Sequence, residues 1–187
     1  MEATLRAELI GVEDYLEGEK FADVRHEFVA GQVFAMAGAS EEHNLISGNL
    51  FAALHAHLRG KGCRVFTTDM KVRLYVSAAD IFYYPDVIVT CDPRDTDRYF
   101  KRFPKVLIEV LSPETERTDR REKFVSYTQI ETLEEYVLIA QDKTEVTTFR
   151  RAANWQPDVV NKSEQHLRLV SLNFTLPLET VYEGVNV

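Results

Sequence analysis

The spacing of apolar side chains predicts three helices. Residues 9–19 place their apolar positions on one face of a short helix, and residues 117–130 repeat that spacing over a longer amphipathic stretch. Between them, Ser40 is placed to cap a helix that runs to about residue 59, and Gly60 supplies its stop. Between these helices, the apolar residues follow the alternating or continuous patterns of strands.

Strand patterns fill most of the remaining chain. Residues 25–38 alternate around Ala30 and Gly31, which predicts a β-hairpin with Glu27 on its first strand. Residues 81–90 and 105–112 are apolar almost throughout, as expected for central strands that are covered on both faces. Further strands are predicted at residues 64–67, 70–76, 134–141, 144–151 and 166–172.

This order of elements predicts an α/β fold with a single mixed β-sheet flanked by helices. A length of 187 residues and an apolar fraction of 45% suit one domain, residues 1–187, with a substantial core. The apolar segment at residues 174–185 is expected to pack either against this core or against a partner subunit.

Composition bears on the cellular compartment of the protein and on the partners that it can bind. The sequence shows no apolar run long enough for a signal peptide or a membrane helix, so we expect a cytoplasmic protein without membrane contact. Cys63 and Cys91 lie outside any zinc-type spacing and are expected to be free thiols. A net charge of -8 means that any site for a polyanion must be local.

Two carboxylates stand within the predicted central strands, Asp86 in YPDVIV and Glu109 in LIEVLS. A carboxylate in a buried strand is costly unless it is paired, protonated or bound to a metal. Mg2+ commonly takes one or two protein carboxylates and leaves room for water and phosphate oxygens, so this pair is a candidate metal site. The alternatives are a loop-capping role for Asp86 and a salt bridge from Glu109 to an arginine such as Arg73.

The spacing around this pair is also informative. Pro85-Asp86, a gap of 22 residues and then Glu109 resemble the PD-(D/E)xK nuclease motif. Leu111 stands where the lysine of that motif is expected, and Lys123 on the following predicted helix is its candidate replacement. With HEFVAGQV, IEVLSPET and a histidine heading the second helix, residues 15–139 resemble the Uma-type family of restriction-endonuclease-like proteins.

The resemblance implies a restriction-endonuclease-like fold and a DNA endonuclease that depends on Mg2+ or Mn2+. It implies that Asp86, Glu109 and the Val110 carbonyl hold the metal, that Glu27 is an additional acidic residue of the site, and that Lys123 is the catalytic lysine. His43, Asp119 and Tyr127 match family positions without an evident role. Nucleases that cut both strands favour a homodimer.

The sequence also allows other interpretations. Glu27 is alternatively a solvated hairpin residue, and Lys123 is alternatively one charge of an exposed helix face. The basic segments 98–105 and 117–123 either cradle phosphates or form a mixed-charge surface. The net charge and Leu111 also suit a binding or assembly protein without turnover, and a third class is a hydrolase of a small phosphorylated substrate.

Overall fold

The computed structural model describes residues 9–113 and 115–187, in which helices separate runs of consecutive strands. The α-helices in these parts are α1 (Val12–Gly18), α2 (Glu41–Leu58), α3 (Glu116–Thr118), α4 (Phe124–Tyr127) and α5 (Leu178–Val181). A π-helical turn, Asp119–Lys123, joins α3 to α4.

The strands are β1 (His26–Val29), β2 (Gln32–Ala35), β3 (Arg64–Thr67), β4 (Lys71–Val76), β5 (Ala79–Tyr83), β6 (Val87–Thr90), β7 (Phe100–Lys101), β8 (Pro104–Leu111), β9 (Glu135–Ala140), β10 (Val146–Arg150), β11 (Pro157–Val160), β12 (His166–Leu169) and β13 (Phe174–Pro177). They form a five-stranded sheet in the order β2-β1-β5-β4-β7, a six-stranded sheet in the order β11-β10-β9-β8-β6-β3, and the two-stranded sheet β12-β13.

The α/β class with mixed strand directions and flanking helices is confirmed. Parallel pairs β4-β7 and β8-β9 occur within otherwise antiparallel sheets. The strands are divided among three sheets where the sequence predicts one, because the apolar stretch 81–90 is interrupted. β5 belongs to the five-stranded sheet and β6 to the six-stranded sheet, with Tyr84, Pro85 and Asp86 between them.

The layers pack through separate apolar clusters. One face of the six-stranded sheet packs against α2 together with β12, β13 and α5. Its other face packs against the five-stranded sheet and α4. The outer face of the five-stranded sheet is covered by α1 through Tyr15. The space between the two larger sheets is therefore the interior into which side chains of both can point.

Local signals explain the best-predicted elements. The Ser40 side chain accepts a hydrogen bond from the His43 main-chain N–H at 3.2 Å and so caps α2. Gly60, just after the end of α2, has a φ of +77°, a conformation that suits glycine. The predicted hairpin is confirmed, with Glu27 opposite Phe34 in the β1-β2 register.

The prediction of free thiols was wrong, because Cys63 and Cys91 form a disulfide. They flank the antiparallel pair β3-β6, in which Arg64 lies opposite Thr90. Strand pairing brings the two sulfurs together, and pairing of this kind is not evident from two cysteines 28 residues apart.

The apolar segment at residues 174–185 packs against the chain's own core. Phe174, Leu178 and Val181 belong to the cluster that includes α2. Among the described residues, no helix has the length and hydropathy needed to cross a membrane.

Candidate active site

The ammonium group of Lys123 lies among three carboxylates. Its Nζ is 3.0 Å from Glu27 Oε1, 3.1 Å from Asp119 Oδ1 and 3.3 Å from Glu109 Oε1. The Lys123 side chain is 7% exposed. The contact with Glu109 is a hydrogen bond, whereas Asp119 Oδ1 accepts no hydrogen bond from the described residues.

The charged groups around Lys123 lie on three different elements: β1, β8 and the π-helical turn. Glu109 lies on β8 and shares a face with Leu107 and Leu111, because side chains alternate along a strand. That face belongs to the cluster between the two larger sheets. Glu27 comes from β1 of the facing sheet, while its neighbour Phe28 points into the cluster under α1.

Asp86 lies in the short connection between β5 and β6, directly before β6 begins. Its Oδ2 accepts a hydrogen bond from the Val110 main-chain N–H at 2.7 Å, so its carboxylate is bonded to the residue that follows Glu109. The His43 Nε2 atom, from the first turn of α2, lies 3.2 Å from the same oxygen. The Asp86 side chain is 11% exposed, which leaves it in reach of solvent.

The three family positions without an evident role all contact this site. His43 contacts Asp86, as described above, and Tyr127 donates from its hydroxyl to Glu109 Oε1 at 2.9 Å. Asp119 contacts Lys123 from the other end of the same π-helical turn. Tyr83 was missed by sequence reasoning, although the Lys123 ammonium lies 5.5 Å from the centre of its ring. The pairing of β1 with β5 places this tyrosine beside Glu27, and the sequence gives no signal for that pairing.

Burial and charge determine how the site titrates. Burial raises the pKa of Glu109 well above its usual value, and the nearby Lys123 ammonium opposes the rise. Burial opposes the charged form of Lys123, but Glu109, Glu27 and Asp119 outweigh it and raise the pKa of Lys123. Burial likewise disfavours charged His43, yet Asp86 raises the pKa of His43 above its usual value.

The donor set fits a hard divalent cation. The site contains the carboxyl groups of Glu27, Asp86, Glu109 and Asp119, against Lys123 and His43 as the groups that can be positive. Four carboxyl groups against two groups that can be positive give the site more potential negative than positive charge. No three His, Cys, Asp or Glu side chains surround a common metal position in residues 9–113 and 115–187. Two carboxylates with a main-chain carbonyl remain sufficient for Mg2+, which retains several waters.

The structure decides several alternatives. Arg73 pairs with Asp80 at 2.9 Å, so the cation beside Glu109 is Lys123. Lys123 is buried and is not part of an exposed charged face. Glu27 has a side chain that is 15% exposed and ion-paired, which rules out a solvated hairpin residue.

The two basic segments lie in different places. Lys105, at the start of β8, pairs with Glu134 at 3.0 Å. At about 3.3 Å per residue it is roughly 13 Å along the strand from Glu109. In the other segment, Arg120 is 2.7 Å from Glu116 and 3.5 Å from Glu145. Only the segment 117–123 therefore borders the site.

Two facing mixed sheets that enclose an acidic pair and a lysine define a restriction-endonuclease-like protein. In this chain the lysine comes from a helical segment, and Leu111 of β8 is buried in the apolar cluster. A solved structure from Anabaena variabilis ATCC 29413, described as "a putative nuclease belonging to DUF820", shares the fold. The two structures superpose with a TM-score of 0.76 at 16% sequence identity. The superposition covers 92% of this chain and 97% of the Anabaena chain.

The chain belongs to the Uma2 family, whose model is described as "Putative restriction endonuclease" and matches residues 12–179. Two relatives from Synechocystis sp. are described as uncharacterized proteins. One, slr1290, is 33% identical over 175 residues, which is 92% of this chain and 91% of the relative. The other, sll1609, is 32% identical over 146 residues, 76% of this chain and 81% of the relative.

Proposed function

We propose that the protein is a divalent-metal-dependent endonuclease that hydrolyses DNA phosphodiester bonds. The observation that supports this most directly is the convergence of Asp86, Glu109 and Lys123, which come from three elements, on one buried acidic site. The family match and the shared fold agree with a nuclease. The DNA substrate and the divalent metal go beyond what the family match and the fold show, and we propose them from the chemistry of the site.

The groups in the site have distinct proposed roles. Asp86, Glu109 and the Val110 carbonyl would hold Mg2+ or Mn2+, which when bound polarises a phosphoryl oxygen and lowers the pKa of a bound water. Lys123 would donate a hydrogen bond to the attacking water and orient it towards the phosphorus atom. Glu27 fixes the Lys123 ammonium at 3.0 Å and so keeps it directed into the site.

Phosphate contacts would come from the helical segment that borders the site. Arg117 and Arg121 are exposed there, one turn apart from each other on the segment that supplies Lys123. Because the salt dependence of binding scales with the number of phosphates that are neutralised, binding through so few cations should weaken only modestly as salt is raised. We further propose a homodimer for cutting both strands, which light scattering on the purified protein would test.

The test is a nicking assay on supercoiled plasmid together with cleavage of labelled oligonucleotides in Mg2+ or Mn2+. Asp86→Asn retains the side-chain volume but removes the charge, and Lys123→Met retains the length but removes the ammonium. Each should reduce the cleavage rate by about 10²- to 10⁴-fold, because each removes a group that acts in the transition state. Calorimetric titration with Mn2+ should show binding to the wild type and none to Asp86→Asn.

Two control variants match these changes away from the site. Lys101 is a second buried lysine, which donates to the Asp97 carbonyl, and Asp80 is half-buried beside Arg73. Lys101→Met and Asp80→Asn should retain wild-type cleavage. A wild type that binds no metal and cleaves nothing beyond the Lys123→Met background would contradict the proposal and favour a binding or assembly protein. Turnover of a small phosphate ester without DNA cleavage would favour the third class.

A further inference from the structure

Asp119 is a buried carboxylate whose contacts leave one oxygen without a hydrogen bond. The residue is 1% exposed. Its Oδ1 lies 3.1 Å from Lys123 Nζ, yet no donor among the described residues is oriented to give that oxygen a hydrogen bond. A buried charge with so little compensation costs stability. The position of Asp119 in the core is therefore not explained by a contribution to the stability of the fold.

The position of Asp119 on the helical segment differs from that of the other carboxylates around Lys123. Glu27 and Glu109 reach the ammonium from two different sheets, so their distances depend on how the layers pack. Asp119 and Lys123 are the first and last residues of one π-helical turn. The segment's own backbone therefore sets their spacing. Single π-helical turns are frequent at functional sites.

A lysine on a helix needs such a partner more than a lysine on a strand. In the strand arrangement the lysine would stand at position 111, two residues from Glu109 and on the same face. Lys123 must instead reach Glu109 from another element, along a side chain with four rotatable bonds. A fixed negative group on the same helical turn limits the orientations available to the ammonium.

We infer that Asp119 is a second positioning residue for Lys123, beside Glu27, and that it holds the ammonium beside the reacting water when a divalent cation occupies Asp86 and Glu109. This inference rests on the proposed function. In the structure Lys123 is shared by three carboxylates. Once Glu109 is engaged as a ligand, Glu27 and Asp119 remain as partners of the ammonium, and Asp119 is the partner on its own helical turn.

The experiment compares Asp119→Asn with Asp95→Asn. Asp95 is also a buried aspartate, 2% exposed, but its carboxylate accepts hydrogen bonds from Thr90 Oγ1 and from the Arg102 and Phe103 main chains. Asp119→Asn should lower kcat about 10- to 100-fold, the usual cost of losing a supporting partner, with KM changed less than about twofold. Asp119→Glu, which retains the charge, should recover part of that loss. Asp95→Asn should reduce stability but leave kcat per folded molecule unchanged.

A second measurement does not depend on activity or metal. In protein labelled with 15N at the lysine Nζ, the Lys123 ammonium should give a slowly exchanging signal that Lys123→Met removes. Asp119→Asn should shift that signal or accelerate its hydrogen exchange, whereas Asp95→Asn should leave it unchanged. If Asp119→Asn retains both the signal and kcat, the positioning role is wrong. If the wild type cleaves no DNA, the ammonium signal alone decides the role of Asp119, so the two proposals can fail separately.

Discussion

Two buried glutamates on neighbouring strands of the six-stranded sheet have different surroundings. Glu135 begins β9 and accepts four hydrogen bonds from three residues. They come from Arg150 Nε at 3.1 Å, the Val170 N–H at 3.0 Å, the Ser171 N–H at 3.0 Å and the Ser171 hydroxyl at 2.6 Å. Glu135 therefore has its charge matched by one arginine and its oxygens fully occupied.

Glu109 on β8 has a less complete set of donors. It accepts from Tyr127 and Lys123, and that lysine is shared with Glu27 and Asp119. Both glutamates are almost fully buried, so burial does not distinguish them. The difference lies in charge balance, because Glu109 stands in a site with more carboxylates than cations. This incomplete compensation of a buried carboxylate supports the proposed cation site.

The largest expected effect concerns stability. Glu135→Gln replaces an acceptor oxygen by a donor amide and leaves buried donors unpaired, so it should lower the free energy of unfolding by about 3 kcal/mol. Glu109→Gln replaces a carboxyl group whose ionised form is disfavoured by burial with a neutral amide, and it should raise the free energy of unfolding of the metal-free protein by about 1 kcal/mol. Urea unfolding in EDTA at pH 7.5 measures both.

The control for Glu135 is its exposed counterpart on the same arginine. Asp158 also pairs with Arg150, at 2.7 Å, but is 58% exposed. Asp158→Asn should change the unfolding free energy by less than about 0.5 kcal/mol. Equal destabilisation by the two glutamate variants would show that both carboxylates are structural, and the distinction between them would be lost.

The cost of burying a carboxylate singled out Asp86 and Glu109 as candidate site residues in the sequence, but it gave no sign that Glu135 is also buried. In sequence, Glu135 follows Glu134 at a strand boundary and looks solvated. Its partners at Val170 and Ser171 are 35 and 36 residues away, and only the folded chain brings them together. The same limit applies to Glu27, whose link to Lys123 depends on how two sheets face each other.

Local signals predicted α2, the β1-β2 hairpin and most strands, because helix caps, turns and strand alternation depend on residues that are close together in the sequence. Two expectations failed for lack of long-range information. The apolar stretch 81–90 gave no sign that its halves join different sheets, apart from Pro85. The Cys63–Cys91 disulfide follows from the pairing of β3 with β6, which the sequence does not specify.

The next expected effect concerns the metal. A ligand that binds only the folded state stabilises it by about 2.7 kcal/mol at a hundredfold excess over Kd. Mn2+ at that excess should therefore raise the unfolding free energy of the wild type and of Asp158→Asn by this amount. Glu109→Gln should show no such increase, because it lacks a proposed ligand. Thermal unfolding across a Mn2+ titration provides the measurement, and an undiminished increase in Glu109→Gln would exclude Glu109 as a ligand.

The smallest expected effect is a dependence on pH. Because the folded state raises the pKa of Glu109, the folded protein binds more protons than the unfolded chain between the ordinary and the raised pKa. This contribution to stability is present below the ordinary glutamate pKa and is lost as pH rises through that interval. One proton of difference corresponds to at most about 1.4 kcal/mol per pH unit.

Metal-free wild type should therefore lose stability relative to Glu109→Gln as pH is raised from 5.5 to 7.5, by about 1 kcal/mol. His43, whose pKa is also raised, gives a trend of the same sign in both proteins, so the difference between them isolates Glu109. Urea unfolding in EDTA at several pH values measures the difference. Parallel curves would mean that Glu109 is as well compensated as Glu135, and the incomplete donor set around it would then have no energetic consequence.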